Sequence, residues 1–512
     1  MSQSLTLSPP AATVLPDSPV QETNELSSFR KFIQKKATRK LIVITGLGVL
    51  IQFVVFKLLY PYPDFFSDSY SYLFAAYAHL DVSIWPIGYS KFLLLFHYLT
   101  PSSLALIGFQ YFFLELGALC FFISFLYIYQ PAKTARVLFY LFLFFNPLLF
   151  YISNYVNSDP LFVALSLFWF TQLLWILHKP RLYQVLIQAL LLFLCFTVRN
   201  NAYYYPVISA LTFLLSKLNW KAKLTAILMP FAFIIPFIIH TQNVAYQMTG
   251  SKQYSLFTGW QLANNALYIY PHIQVDNNLL LTKESQQLDH SVKSFYQSIP
   301  KGFPLDAVLS SYVGNFFIRE PKAPLKVFLN DHYTITDEYD GIIAWGKASS
   351  IYAEYGTSII KNNPVAYLKY FCVLNAKNYI LPPLEKLEVY NLGLNKIDPI
   401  AEFWFHYSNN KIISIPNKIQ GIVLYVFPIL FMILNFYLLL GIVMTLLTRK
   451  YKSLSPTHFK TGVLLSAFYL LNVAFSVLVT INVFRYQVFP MILCILLSIL
   501  ISQSLRTIPQ KL

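Results

Sequence analysis

The chain has 512 residues, of which 56% are hydrophobic, 18% are aromatic and only 12% are charged. Soluble globular proteins carry roughly 25% charged residues, so the composition excludes an ordinary soluble domain and predicts a protein that lies mostly in lipid. The formal charge of +16 is also typical of nucleic-acid-binding proteins. The basic residues fall mainly in short segments between apolar runs, where topology and contact with membrane lipids explain them better, and we expect no nucleic-acid partner.

The N-terminal segment is polar and contains prolines, and it ends in the basic cluster Arg30, Lys31, Lys35, Lys36, Arg39 and Lys40. This pattern predicts a disordered cytoplasmic tail over residues 1–40, followed by a first apolar run that acts as an uncleaved signal-anchor. A cleaved signal peptide is the alternative. It is disfavoured because the apolar run lies too far from the N-terminus and is too long.

Runs of about 20 apolar residues, long enough to cross about 30 Å of hydrocarbon, recur about ten times along the chain. We predict spans at residues 40–60, 102–129, 134–152, 159–178, 182–198, 203–216, 222–241, 417–447, 461–481 and 484–505. With both termini in the cytoplasm, basic residues occupy every inner loop, as the positive-inside rule requires. The fold class is therefore an all-α polytopic protein, placed in the plasma (inner) membrane.

The predicted topology divides the chain into modules. Residues 41–241 form an N-terminal transmembrane module whose first outer loop is 61–101, residues 242–416 form an extracytoplasmic domain of α or α+β type, and residues 417–512 form the C-terminal transmembrane helices. The segments 83–99 and 363–380 are apolar but too short or too interrupted to cross, so we predict that they are interfacial helices. Three of the four cysteines lie in apolar runs, which excludes a disulfide framework.

The first outer loop carries two carboxylates, Asp64 and Asp68, beside the membrane, where charge is costly and usually has a use. Either one is a candidate general base that accepts a proton from an attacking hydroxyl. At a spacing of four residues they are also candidates to share a divalent cation, Mg²⁺ or Mn²⁺, through oxygen ligands. Capping of the turn and of the following helix is the third possibility.

Further polar groups fall on the same predicted face. Asp159 begins the fourth span, and Arg199-Asn200 and Arg485-Tyr486 occupy short outer turns. Helix capping explains Asp159 equally well, and snorkelling to lipid headgroups explains the arginines equally well. Trp260, with amide side chains close by in sequence, has the aromatic and polar character suited to sugar hydroxyls, although a packed helix start explains it more simply.

Two acidic sites and two arginines on one face of one helical bundle suit the transfer of a sugar from a lipid phosphate. The lipid tail needs a site in the membrane, the departing phosphate needs fixed positive charge, and the attacking hydroxyl needs one base. Arg199, Arg485 and Tyr486 are then the candidates for the donor phosphate. Asp159, Asn200, Tyr72 and Trp260 are the candidates for other substrate contacts.

The same residues resemble the GT-C class of polytopic glycosyltransferases, which includes protein mannosyltransferases and aminoarabinose-lipid A transferases. The resemblance covers about the first 200 residues and the final span. It is carried by Asp68, Tyr72, Ala75 and Ala76, by Trp85-Pro86-Ile87-Gly88-Tyr89, by Ser158-Asp159-Pro160-Leu161, by Thr197-Val198-Arg199-Asn200, and by Arg485-Tyr486 with Pro490.

This resemblance implies a polyprenyl-phosphate-linked sugar as donor, catalysis on the extracytoplasmic face, an extracytoplasmic acceptor (glycan, lipid or protein) and Asp68 as the base. An acidic residue commonly follows the first Asp in that class, whereas Ser69 follows Asp68 here. The resemblance therefore does not carry over a metal, and Asp64 stays a competing base.

Two other functions compete with a glycosyltransferase. A transporter or flippase of lipid-linked saccharides also places charges inside a helical bundle. The absence of detectable repeats, the low glycine count of 16 and the gathering of charge at one face argue against it. A membrane-bound acyltransferase or glycan polymerase is the other rival. Such enzymes often use a histidine in the membrane, whereas here His178 falls at a predicted inner end and His240 ends a span near the outer side.

Overall fold

The computed structural model describes residues 29–276, 280, 282–412, 414 and 419–506. Within these ranges the chain is helical and has no β-strand, only two isolated bridges, Asp64 with Tyr155 and Lys396 with Lys411. The chain divides into two compact units, residues 1–47 and residues 48–512, and the site described below belongs to the second. Of the predicted disordered tail, residues 1–28 lie outside the described part, and residues 29–40 are helical except for a bend at residue 35.

The α-helices are, in chain order, α1 (Phe29–Gln34), α2 (Lys36–Leu59), α3 (Ser67–Tyr77), α4 (Gly88–His97), α5 (Ser103–Tyr129), α6 (Lys133–Phe144), α7 (Pro147–Ser153), α8 (Ser158–His178), α9 (Tyr183–Val198), α10 (Tyr205–Leu215), α11 (Trp220–Thr249), α12 (Thr258–Ile269), α13 (Lys283–Ser298), α14 (Leu305–Ser311), α15 (Phe316–Arg319), α16 (Pro324–His332), α17 (Glu338–Asn362), α18 (Pro364–Ala366), α19 (Val373–Ile380), α20 (Pro399–Trp404), α21 (Ile419–Leu424), α22 (Val426–Leu447), α23 (Pro456–Leu478) and α24 (Val488–Arg506). Short 3-10 turns lie at Asn200–Tyr204, Tyr270–His272, Glu385–Leu387, Tyr390–Gly393, Lys450–Ser453 and Phe484–Gln487, and a π-helical turn lies at Tyr367–Cys372.

Among the described residues, eight helical stretches are long and apolar enough to cross a membrane, which makes the chain a multi-pass membrane protein. They are Lys36–Leu59, Ser103–Tyr129, Lys133–Ser153, Ser158–His178, Trp220–Thr249, Ile419–Leu447, Pro456–Leu478 and Phe484–Gln503. These stretches correspond to eight of the ten predicted spans. The other two correspond to α9 with 16 residues and α10 with 11 residues, so the count of ten stays a prediction.

The two segments predicted to be interfacial helices are partly helical. In the first, the helix begins only at Gly88, because the stretch around Pro86 is a bend and not a helical turn. The second is helical throughout Pro364–Ile380, through α18, the π-helical turn and α19. The central segment (residues 242–416) is built from helices and turns where the structure describes it, so of the two fold types predicted for it, α is observed.

The core of the central segment depends on a close approach between α12 and α17. A Cβ atom placed on Gly259 would overlap the backbone carbonyl of Ser349, and one placed on Gly356 would overlap the backbone of Leu262. The two helices therefore touch backbone to backbone, and only glycine permits this at the two contact points. Their ends carry the indoles of Trp260 and Trp345, which stack with ring centroids 3.8 Å apart.

The first loop is joined to the segment that precedes α8. The backbone N–H of Asp64 donates to the carbonyl of Asn154 at 2.9 Å, and the N–H of Val156 donates to the carbonyl of Asp64 at 3.2 Å. The loop then turns into α3, whose first turn contains Asp68. This pairing brings the start of α3 beside the start of α8, where Asp159 lies.

Candidate functional site

Asp68 lies between two cations. One carboxylate oxygen accepts from Lys386 Nζ at 3.0 Å, and the other accepts from Arg485 Nη2 at 3.2 Å. The residue is 8% exposed. Both of its oxygens are therefore engaged by positive charge in a nearly buried setting, where ion pairs are stronger than in water.

Arg485 links Asp68 to a second carboxylate. Its Nη1 donates to Asp159 Oδ2 at 3.3 Å, and the other oxygen of Asp159 is paired with Arg199. Both guanidinium groups lie over the ring of Tyr486, at 4.5 Å for Arg199 and 4.8 Å for Arg485. The structure thus brings together the two acidic positions and the two arginine turns that the sequence analysis assigned to one face.

Three charged residues of this site were missed by the sequence analysis. Glu385 and Lys386 follow a pair of prolines in the central segment, and Arg319 ends the short helix α15. Arg319 pairs with Glu385, whose second oxygen lies 3.7 Å from Arg485 Nε. The ion-pair cluster therefore consists of four cations and three carboxylates, and it has an excess of one positive charge: Asp68, Asp159, Arg199, Arg319, Glu385, Lys386 and Arg485.

The cluster controls the protonation of its members. Burial by itself raises the pKa of Asp68, but the charges of Lys386 and Arg485 outweigh burial and hold this pKa at about 2. Burial lowers the pKa of Lys386 to about 8, although the charge of Asp68 opposes this shift. At neutral pH Asp68 is consequently a carboxylate that cannot accept a proton until at least one of its two cations moves away.

Two cavities meet at this cluster. A smaller cavity has a volume of about 180 Å³, and a larger cavity has a volume of about 510 Å³. The larger one lies within the range typical of small-molecule sites. Both cavities are lined by Asp68, Trp85, Phe257, Gln261, Thr480, Arg485 and Tyr486.

The smaller cavity lies at the ends of apolar helices. Besides the shared residues it is lined by Tyr72, Pro86, Asn157, Arg199, Asn200, Asn201, Tyr203, Thr258, Leu262, Phe475 and Val479. Two of these side chains, Tyr203 and Val479, are 36% and 49% exposed. The smaller cavity therefore combines two arginines with the exposed side chains of Tyr203 and Val479 at the ends of apolar helices.

Half of the residues that line the larger cavity belong to the central segment. Besides the shared residues it is lined by Ser67, Ser71, Ile84, Asn315, Ile318, Arg319, Lys326, Trp345, Lys386, Leu392 and Ile481. Four buried polar atoms among its lining residues have no hydrogen-bond partner in the described protein: Trp345 Nε1, Asn315 Oδ1, Gln261 Oε1 and Arg485 Nε. Buried polar groups are normally paired, so the protein itself does not satisfy all the polar groups around this cavity.

Asp64 lies in a different environment. It is 1% exposed and lines neither cavity. One carboxylate oxygen accepts from the backbone N–H of Asn391 at 2.8 Å, and the other accepts from Gln420 Nε2 at 3.4 Å. Burial raises the pKa of Asp64 to about 7, since no cation compensates it. Asp64 thus binds the backbone of a neighbouring segment, and Asp68 is the one of the two carboxylates that lines the cavities.

The segment that Asp64 anchors is the one that carries Lys386. The Tyr155 hydroxyl donates to the carbonyl of Lys386 at 2.7 Å, and the Tyr390 hydroxyl donates to the carbonyl of Pro63 at 3.0 Å. Glu385 has a φ of 56°, a conformation that residues other than glycine rarely adopt. Tertiary contacts thus hold a strained backbone in place, which is a recurrent feature of functional sites.

The geometry does not fit a divalent cation shared by Asp64 and Asp68. Both oxygens of Asp68 are paired with cations, and Asp64 is enclosed by hydrogen-bond donors away from the cavities. In the described ranges, no group of three or more His, Cys, Asp or Glu side chains is arranged to hold a metal ion.

Three other residues that the sequence analysis considered for a functional role, Trp260, His178 and His240, do not line the two cavities. Trp260 is fully buried, and its Nε1–H donates to the carbonyl of Trp345 at 3.0 Å, which agrees with the packed helix start. His178 hydrogen-bonds to Tyr129 and Thr461, and His240 lies 3.3 Å from Asp81. Neither histidine is among the described residues that line the two cavities.

The fold and the site together define a helical multi-pass membrane protein with a buried ion-pair cluster between two cavities. No family model, curated protein or solved structure matches the chain at a significant level. The function is therefore argued from the site itself.

Proposed function

We propose that the protein is a membrane glycosyltransferase that moves a sugar from a polyprenyl-phosphate donor to an acceptor outside the cytoplasm. The proposal includes about ten spans, both termini in the cytoplasm and a site on the extracytoplasmic face of the plasma membrane. The observation that carries it is the contact of Asp68 with Arg485 where two cavities meet. A carboxylate beside a fixed cation, reachable from two directions, suits a reaction between two substrates.

The donor fits the smaller cavity. Arg199 and Arg485 supply two guanidinium groups, which bind phosphate through paired hydrogen bonds. The exposed side chains of Tyr203 and Val479 give a polyprenyl chain a route from the cavity into lipid. The single excess positive charge of the ion-pair cluster is suited to one bound phosphate.

The acceptor fits the larger cavity, next to Asp68. Its hydroxyl oxygen attacks the anomeric carbon and forms the new glycosidic bond while the bond from that carbon to the phosphate oxygen breaks. Asp68 takes the hydroxyl proton, and the polyprenyl phosphate leaves with the electron pair of the broken bond. Arg485 and Arg199 stabilise the charge that develops on the leaving phosphate.

The pairing of Asp68 supplies a mechanism for coupling the donor to the base. A phosphate that draws Arg485 or Lys386 toward itself weakens the contacts that hold the pKa of Asp68 at about 2. The pKa then rises, and Asp68 becomes able to accept a proton. Donor binding would thus activate the base, and the base would be inactive while the site lacks a donor.

The test uses the purified protein with a polyprenyl phosphate that carries an isotopically labelled sugar and with a mixture of hydroxyl-bearing acceptors (sugars, glycolipids and peptides). We expect free polyprenyl phosphate to form and the label to leave the lipid, and we expect Asp68→Asn to lose this activity while it still binds the lipid. Asp306→Asn, at an exposed carboxylate in α14, is the matched control. If the lipid crossed vesicle membranes with its sugar intact and no label was released, the protein would be a flippase instead.

A further inference from the structure

Lys326 lines the larger cavity but is not part of the ion-pair cluster. It lies in α16, and its Nζ is 4.4 Å from the ring centroid of Trp345 and 5.1 Å from that of Trp260. Within the described part of the chain, no carboxylate is within ion-pair distance of Lys326. Burial lowers the pKa of Lys326 to about 8, which still leaves the amine mostly charged at neutral pH.

The charges around the larger cavity are consequently not balanced by the protein. The ion-pair cluster has one excess positive charge, which a donor phosphate would neutralise. Lys326 adds a second positive charge at the wall of the same cavity. A half-buried cation without a carboxylate is costly, and an anionic ligand would offset that cost.

The other lining groups indicate the rest of the ligand. Gln261 and Asn315 line the cavity with amide groups, and Ser67 and Ser71 line it with hydroxyls. Amide and hydroxyl groups both complement the hydroxyls of a ligand. The surroundings of Lys326 thus combine an anion-binding amine with hydroxyl-binding groups.

We infer that the larger cavity binds a hydroxyl-rich acceptor that carries an anionic group, such as a sugar phosphate, and that Lys326 binds that group. The inference rests on the proposed function, because it names the acceptor class for the same site. It makes Lys326 a residue that selects the acceptor and takes no part in the proton transfer.

The test measures binding of glucose 6-phosphate and of glucose to the full chain in uncharged detergent micelles, at constant ionic strength and with the smaller cavity first filled with polyprenyl phosphate. The wild type should bind glucose 6-phosphate more tightly than glucose. In Lys326→Gln the affinity for glucose 6-phosphate should fall about tenfold, the equivalent of one charged hydrogen bond, while that for glucose stays unchanged. Lys326→Arg should retain the preference.

Lys347→Gln is the matched control, because Lys347 is an exposed lysine of α17 that lines neither cavity. A Lys326→Gln protein that keeps its preference for glucose 6-phosphate would overturn the inference and leave Lys326 a packing partner of the two indoles. So would a wild type that does not distinguish the two sugars. Displacement of glucose 6-phosphate by phosphatidylglycerol would assign the site to a lipid headgroup and also overturn the inference. Failure of polyprenyl phosphate to bind in the loading step would count against the proposed function alone.

Discussion

Asp64 and Asp68 differ in their charged neighbours, in their pKa and in their contact with the cavities, although only three residues separate them in the sequence. At Asp64 the carboxyl is enclosed by neutral donors, and its pKa is raised to about 7 by burial. At Asp68 two cations hold the pKa at about 2, and the carboxylate lines both cavities. The surroundings, and not the residue type, separate the two: one carboxyl binds the backbone of a neighbouring segment, and the other lies at the wall of the two cavities.

The largest expected effect compares the two carboxylates directly. Asp68→Asn should lower sugar transfer by about 10² to 10⁴-fold, the usual contribution of a general base. Asp64→Asn should have a much smaller effect, because Asn keeps the oxygen that accepts from Asn391. Single-turnover rates with labelled donor measure both. Equal losses in the two variants would remove the distinction between them.

Removing the cation that contacts Asp68 and Asp159 is expected to act on stability as well as on binding. Arg485→Gln leaves three carboxylates, Asp68, Asp159 and Glu385, short of a buried partner, and breaking a buried ion pair in this way costs about 3–5 kcal/mol. The thermal unfolding midpoint in micelles should fall, and the affinity for polyprenyl phosphate should fall with it. Arg181→Gln, at an exposed arginine next to α9, is the control. An unchanged midpoint would show that the cluster does not hold these elements together.

The affinity for polyprenyl phosphate, measured over a series of pH values, tests whether the charge of Lys386 contributes to binding. Because its pKa is lowered to about 8, the amine loses its charge in the free protein as the pH rises through that value. The affinity for polyprenyl phosphate should then decline by up to about tenfold per pH unit above this point. Lys386→Arg should keep its affinity, since guanidinium stays charged. The same decline in both proteins would assign the titration to another group.

The smallest effect on turnover is expected at Asp64, where the pH dependence of stability is the informative measurement. The folded protein keeps a proton that an unfolded carboxyl with its ordinary pKa of 3.8 has released, so the free energy of unfolding should fall as the pH rises from about 4 to 7. Asp64→Asn removes this titration and should flatten that decline. An unchanged slope would mean that Asp64 is ionised in the folded protein.

The sequence located the part of the site that depends on local patterns. Apolar runs define eight helical stretches because crossing a bilayer requires a length of about 20 residues. Asp159 and Arg485 lie at the start of two of these stretches, and Asp68 and Arg199 lie in segments between them. If these four residues lie on the same face of the bundle, the predicted topology already places their side chains near one another. The start of α4 was misplaced, because the apolar stretch before Gly88 contains a proline bend.

The rest of the site depends on contacts between distant segments. Lys386 reaches Asp68 because a strained turn is tied to the first loop through Tyr155, Tyr390 and Asp64. The sequence marks that turn only by two prolines followed by Glu385 and Lys386, a pattern that many surface turns share. Arg319 likewise shows no spacing that relates it to Arg485. A single sequence does not reveal such pairs.

The shared wall between the two cavities has a kinetic consequence. Asp68, Arg485 and Tyr486 border both spaces, so occupation of one leaves the other available. Two ligands can therefore be present at once, in a ternary complex, before any bond changes. For a transferase built in this way, double-reciprocal plots at several concentrations of the second substrate should intersect, and a covalent sugar–protein intermediate is not required.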